Sequence, residues 1–102
     1  MDHQRLEDLL AAMARLGASA LHLVPGRAPA LRLQRRFVHG DEATVQKADV
    51  DEMMRDLLFA DHRAQLAERG HVEVLYVARS RMRYRAAIAQ VAGQSSVVLR
   101  PL

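Results

Sequence analysis

Arg79, Arg81, Arg83 and Arg85 alternate with Ser80, Met82, Tyr84 and Ala86 in the run RSRMRYRA. Side chains two apart on a strand share a face, so Arg81, Arg83 and Arg85 are expected to project together while Met82, Tyr84 and Ile88 turn to the core. One residue rises about 3.3 Å along a strand, which roots neighbouring guanidinium groups roughly 7 Å apart. Cations held this close repel unless carboxylates of the same chain pair with them or an anion from outside lies over them. The planar fork of Arg suits carboxylate and phosphate, which it grips with paired hydrogen bonds. The comb therefore reads as a solvated face paired with nearby Asp and Glu, or as a surface for phosphate or an acidic partner. Nucleic acid is the weakest reading, because the aromatic residues that would stack bases are only 4% of the chain.

Other chemistry is sparse. His3, His22, His39, His62 and His71 include no pair at a metal-binding spacing on one helix face. His22 sits between leucines in GASALHLVPGRAPALRL and reads as a packed residue on one face of a strand rather than as a ligand or base. There is no cysteine, hence no disulfide or thiolate, and no Ser nucleophile pattern. The carboxylates cluster where helices start, and capping explains them. No G-x-x-x-x-G-K-[ST] occurs, so this chain does not hold a nucleoside triphosphate in the P-loop manner. Nothing in it assembles a complete active site, a metal site or a resident cofactor site.

The elements that must carry the comb follow from periodicity. Leu6, Leu9, Leu10, Met13 and Leu16 recur at helical spacing, with Asp2 as a cap and Gly17 as a stop. From Ser19 to Val24 the period shortens to two, and Leu31 and Leu33 repeat it after Pro25-Gly26 and Pro29, which exclude helix between them. A third strand runs through Phe37 and Val38, and the polar segment 40–48 reads as a loop. Asp49 and Glu52 suggest a capped start for a helix with Val50, Met53, Met54, Leu57 and Leu58 on one face, Met53 and Met54 being core. Asp61 is placed to cap a shorter helix carrying Ala64, Leu66 and Ala67, which Gly70 ends. The remainder reads as strands over about 71–78, 81–90 and 95–100, with turns near Ser80 and Gly93. The order α-β-β-β-α-α-β-β-β predicts an α+β fold, helices packed on a largely antiparallel sheet of about six strands.

The 102 residues suit one domain over 1–102, without repeat, linker or low-complexity segment. Of the 15 cationic residues 14 are Arg, a bias that a GC-rich genome also produces, and the formal charge of +3 alone says little about partners. No apolar run approaches the roughly 20 residues that span a bilayer, and the N-terminus is unlike a secretory signal. We expect a cytoplasmic protein with no membrane insertion.

Several segments, in order, resemble the N-terminal domain of the secretion ATPase superfamily of PilT-like pilus retraction motors and GspE-like type II secretion ATPases. The family's G-A-S-D-L-H-L segment is similar to Gly17-Ala18-Ser19-Ala20-Leu21-His22-Leu23, and its I-R-V-D-G strand to Leu31-Arg32-Leu33-Gln34-Arg35. Two helices and an R-F-R-V-N strand resemble Asp49 to Gly70 and Arg83-Tyr84-Arg85-Ala86-Ala87, and a closing V-V-L-R resembles Val97-Val98-Leu99-Arg100. Three positions depart: Ala20 stands where the family has Asp, Gln34-Arg35 where it has the Asp-Gly turn, and Ala87 where it has Asn. A Gln-Arg pair lacks the easy positive φ of Gly, so a longer or different first hairpin loop is expected.

The resemblance implies a PAS-like domain that docks on its own or a neighbouring RecA-like motor domain in a hexamer, the motor domain itself being absent from these 102 residues. It implies that Arg83 and Arg85, with Arg81 and Arg100 as further candidates, face the ATP and Mg of that motor domain or bind a partner. Inner-membrane platform proteins of the pilus or secretion machinery are the other implied partners, with the domain cytoplasmic or peripheral at that machinery. A stand-alone adaptor that binds an acidic protein through the Arg strand, and a PAS-like small-molecule sensor with a cavity at Ala86, Ala87 and Ala89, are the alternatives.

Overall fold

The computed structural model describes residues 1–102. Its elements are α1 (His3–Leu16), β1 (Ala20–Leu23), β2 (Ala30–Leu33), β3 (Arg36–His39), α2 (Lys47–Leu57), α3 (Ala60–Arg69), β4 (His71–Val77), β5 (Arg83–Val91) and β6 (Gln94–Pro101). This is the expected α+β order. The strands form one antiparallel sheet in the order β3-β2-β1-β6-β5-β4. Two three-stranded meanders are thus joined through the first and last strands, with α2 and α3 inserted between them in the chain.

Alternation along each strand sets which side is covered. Leu21, Leu23, Leu31, Val72, Val74, Tyr76, Tyr84, Ala86, Ile88, Val97 and Leu99 are buried with Leu6, Leu9, Leu10 and Met13 of α1, Val50 and Met53 of α2, and Leu66 of α3. All three helices therefore lie on one face. The other face carries no helix, and its side chains come from the intervening strand positions.

The helix ends show where local chemistry departs from the sequence reading. In α1 the Asp2 carboxylate accepts from the Gln4 N–H at 2.8 Å, and Gly17 closes the helix at φ 68°, both as expected. Leu16, however, is exposed. At 100° per residue it lies about 80° round the helix from Leu6, at the rim of the apolar stripe. The second helix begins at Lys47, so Asp49 is inside its first turn rather than before it, where its carboxylate accepts from the Gln46 N–H at 2.8 Å. Asp61 likewise lies inside α3, and it is His62 whose Nδ1 accepts from the Phe59 N–H at 3.1 Å. Only Leu66 of α3 is buried, while Ala64 and Ala67 are exposed.

The loop 40–46 hides an apolar anchor. Val45 is fully buried, its N–H donating to the Arg27 carbonyl and its carbonyl accepting from the Gly26 N–H, both at 2.8 Å. Arg5 of α1 holds the same loop: its Nε and Nη2 meet the two oxygens of Asp41 at 3.0 Å each. That bidentate pair holds the Asp41 carboxyl below, and the Arg5 guanidinium above, their ordinary pKa values.

The hairpins complete the frame. Gln34-Arg35 forms a two-residue loop after all, because Leu33 pairs with Arg36 and Gln34 itself takes φ 53°. Ala92 and Gly93, at φ 53° and 78°, join β5 to β6 as the twist of paired strands requires.

Candidate functional site

The site is the face of the sheet that no helix covers, and strand register defines it. Across its middle one row runs through Leu75, Arg85 and Arg100. Extending the β1–β6 pairing by one residue places Ala20 beside Arg100, and Ala20 is paired with Arg32, which is paired with Phe37. The adjacent row reads Glu73, Ala87, Val98, His22, Ala30, His39. Arg83 stands two residues from Arg85 on the same face, opposite Val77.

Four arginines thus share this face with a single carboxylate, Glu73. The Arg85 Nε lies 3.5 Å from Glu73 Oε2, with both side chains 58% exposed, a pair that adds little stability in water. Arg83, Arg100 and Arg32 form no ion pair with any carboxylate; Arg32 instead stands 5.9 Å from the centre of the Phe37 ring. Arg85 and Arg100 face each other directly across the ladder, where like charges destabilise a sheet.

Arg81 is not part of this row. The expected strand over 81–90 begins two residues later, because Ala78 accepts from and donates into a tight hairpin: its N–H bonds the Met82 carbonyl and its carbonyl the Arg81 N–H, both at 2.9 Å. The three-residue loop Arg79-Ser80-Arg81 needs a left-handed third residue, and Arg81 supplies it at φ 74°. Met82, expected in the core, is 42% exposed, and its sulfur accepts from the Tyr84 hydroxyl at 3.8 Å. Arg79 turns away from the comb, its N–H donating to Glu7 Oε1 and its Nη1 to Gln4 Oε1, both at 3.0 Å.

Small residues shape the rest of the face. Ala86 is fully buried in the core, whereas Ala87 and Ala89 are half-buried on the uncovered side, and none of the three lines a principal cavity. His22 is half-buried with its Nε2 sealed from solvent and no hydrogen-bond partner. Burial first, then repulsion from Arg100 and Arg32, pushes its pKa below the ordinary 6.5, so it is neutral at pH 7. No three His, Asp or Glu side chains gather into a metal-holding group. No helix is long and apolar enough to cross a membrane.

Geometrically, the face can grip an anionic surface or group through several guanidinium forks, with Glu73 as the one internal competitor, at Arg85. The signal that sequence reading lacked was Arg32: it lies far from the comb in the chain and joins it only through the β1–β6 pairing.

Solved structures share this fold. The chain superposes on the pilus retraction motor PilT, a structure with bound ADP, with a TM-score of 0.79 and 26% identity over 95% of this chain and 29% of that one. It also matches the ATPase DotB of Legionella pneumophila (TM-score 0.82, 16% identity, 100% of this chain and 30% of that one). The DotB of Yersinia pseudotuberculosis matches at a TM-score of 0.72 with 14% identity, again over 100% and 30%. This chain therefore spans under a third of the length of each of these proteins. No protein-family model matches it, and no curated protein matches it. Over 95% of its length on PilT and all of its length on DotB, the chain thus has the fold of one part of these ATPases.

Proposed function

We propose that this chain is an interaction and regulatory domain of a pilus or secretion ATPase, mediating subunit contacts in a hexamer and docking through the uncovered sheet face on a motor domain. Arg83, Arg85 and Arg100 then approach the phosphates of the nucleotide that the motor domain holds with Mg. The observation that carries this reading is the Arg85–Arg100 pair, two facing cations with only an exposed Glu73 beside them. An arrangement that costs the isolated sheet stability is explained if an anion lies over it in the assembly. The similarity to PilT and DotB supports a domain of a pilus or secretion ATPase. An Arg presented to a transferring phosphoryl group stabilises charge in the transition state and is worth about 10³–10⁵ in rate. This chain would supply that charge and no other part of the catalysis. The test is to join or mix the domain with its motor domain and compare Arg83→Ala and Arg85→Ala with the unaltered protein. Loss of ATP hydrolysis or of assembly is expected, and unchanged values for both would overturn the role.

A second reading, an adaptor that binds an acidic protein through the same face, is favoured by Ala20. The cross-strand register sets this small, uncharged residue between Arg32 and Arg100, so no internal carboxylate neutralises them. Binding of an acidic partner, without effect on any motor domain and lost in Arg32→Ala, would select this reading.

A further inference from the structure

We propose that the wing formed by β1, β2 and β3 carries a binding site for a small flat anion, an aromatic or heteroaromatic ring bearing a carboxylate or a phosphate. The cavity there has a volume of about 450 Å³, within the range of small-molecule sites. Its shape comes from the register: Ala30 lies between His22 and His39 in one row, so a methyl group stands between two imidazoles and leaves a trough. Phe37 walls the trough, 56% exposed, with its ring edge-on to His22 at 5.2 Å between centroids and 82° between planes. Val24 adds apolar surface to the lining.

The polar side chains that line this trough are Arg27, His22 and His39. Arg27 lines it and forms no ion pair. No carboxylate lines it, and the nearest ion pairing is Glu42 at 4.0 Å from His39 Nδ1, on a side chain that is almost wholly exposed. An apolar ring against Phe37, Val24 and Ala30 would set its anion on Arg27 and His39, with the His22 ring as part of the wall. The site is separate from the Arg85–Arg100 row and does not depend on the docking role proposed for it.

The test is titration of the ¹⁵N-labelled chain, followed by amide chemical shifts, with four probes: benzoate, phenyl phosphate, inorganic phosphate and benzyl alcohol. Saturable shifts at Val24, Arg27, Ala28, Ala30 and Phe37 are expected with the two aromatic anions, and at least tenfold weaker binding of inorganic phosphate, which lacks the ring, and of benzyl alcohol, which lacks the charge. Whichever aromatic anion binds tighter tells carboxylate from phosphate. Arg27→Ala should weaken both aromatic anions tenfold or more, and Ala30→Leu, which fills the trough, should abolish their binding. Arg27 is exposed, so its variant keeps the test valid if Ala30→Leu does not fold. No saturable shift by about 10 mM probe, a dissociation constant that corresponds to negligible recognition, would overturn the proposal. So would shifts centred on Arg85 and Arg100, or equal binding of all four probes.

Discussion

Arg85 and Arg100 stand directly opposite one another across the β5–β6 ladder, on the side of the sheet that carries no helix. Facing like charges cost a sheet roughly 0.2–1 kcal/mol, and here the exposed Glu73 offsets only the Arg85 side. Arg100→Thr should therefore raise the stability of the isolated domain by an amount in that range. Salt screens exposed charges over about 8–10 Å, so the difference should shrink in high salt. Paired thermal melts at low and high ionic strength read it out; a variant less stable than the parent at low salt would show that the pair is not repulsive. If the same substitution weakens docking, the row exchanges stability of the free domain for binding.

The Glu7 carboxylate ties α1 to the second meander, accepting from the Tyr76 hydroxyl at 3.2 Å and from the Arg79 N–H at 3.0 Å. Burial, then the nearby Glu7 charge and its hydrogen bond, push the Tyr76 pKa up to about 12 from 10. A raised tyrosine pKa means that the fold favours the neutral phenol, so its stabilising contribution is full below pH 10 and is lost as pH rises toward 12. In Glu7→Gln the charge is gone while burial remains. The Tyr76 pKa should fall part of the way back toward 10, as followed by ultraviolet titration of the phenolate, and stability should drop by about 1 kcal/mol. An unchanged titration curve would remove Glu7 from the account.

His22 gives a pH dependence of the opposite sense. Its pKa is lowered by burial and by Arg100 and Arg32, with Phe37 against its ring and His39 across Ala30 as the other neighbours. In the unfolded chain the imidazole takes a proton near pH 6.5, while the folded state resists it. The folded state is therefore favoured above pH 6.5 and loses stability as pH falls below it. His22→Leu removes both the titration and the unpartnered Nε2. Urea unfolding at pH 7.5, 6 and 5 should show a shallower acid loss in the variant, and parallel losses in the two proteins would sink the assignment.

How much of this was legible beforehand differs by element. Periods of 3.6 and 2 locate α1 and β4 to β6 because one face of each is packed and the other is not, a contrast the residue types carry directly. The cap positions slipped because Asp49 and Asp61 resemble caps wherever they lie near a helix start, and only backbone geometry decides that Gln46 and Phe59 precede the first turn. Arg81 was misplaced by an alternation that continues unbroken through the hairpin, since nothing in RSRMR marks which residue turns left-handed. Val45 was hidden in a polar loop. The Arg32 member of the cationic face and the His22–Ala30–His39 trough are products of strand order, which local pattern does not encode.

The first hairpin offers a last check on that geometry. Gln34 holds φ 53° in a two-residue loop, a conformation that costs a residue with a Cβ roughly 1–2 kcal/mol. Glycine there would remove that cost but would lose about 0.5–1 kcal/mol through its greater freedom in the unfolded chain. The balance favours Gln34→Gly by up to about 1.5 kcal/mol, which for a domain of this size raises the melting temperature by up to roughly 12 °C. The Arg32 side chain bonds only the main-chain carbonyl of residue 34, at 3.4 Å, so the substitution leaves the binding face intact. A lowered melting temperature would mean that the loop is longer than two residues in solution, and with it that the Leu33–Arg36 pairing is shifted. Because a one-residue slip turns every side chain of a strand to the other face, that outcome would also remove Phe37 from the wall of the trough and from its contact with Arg32.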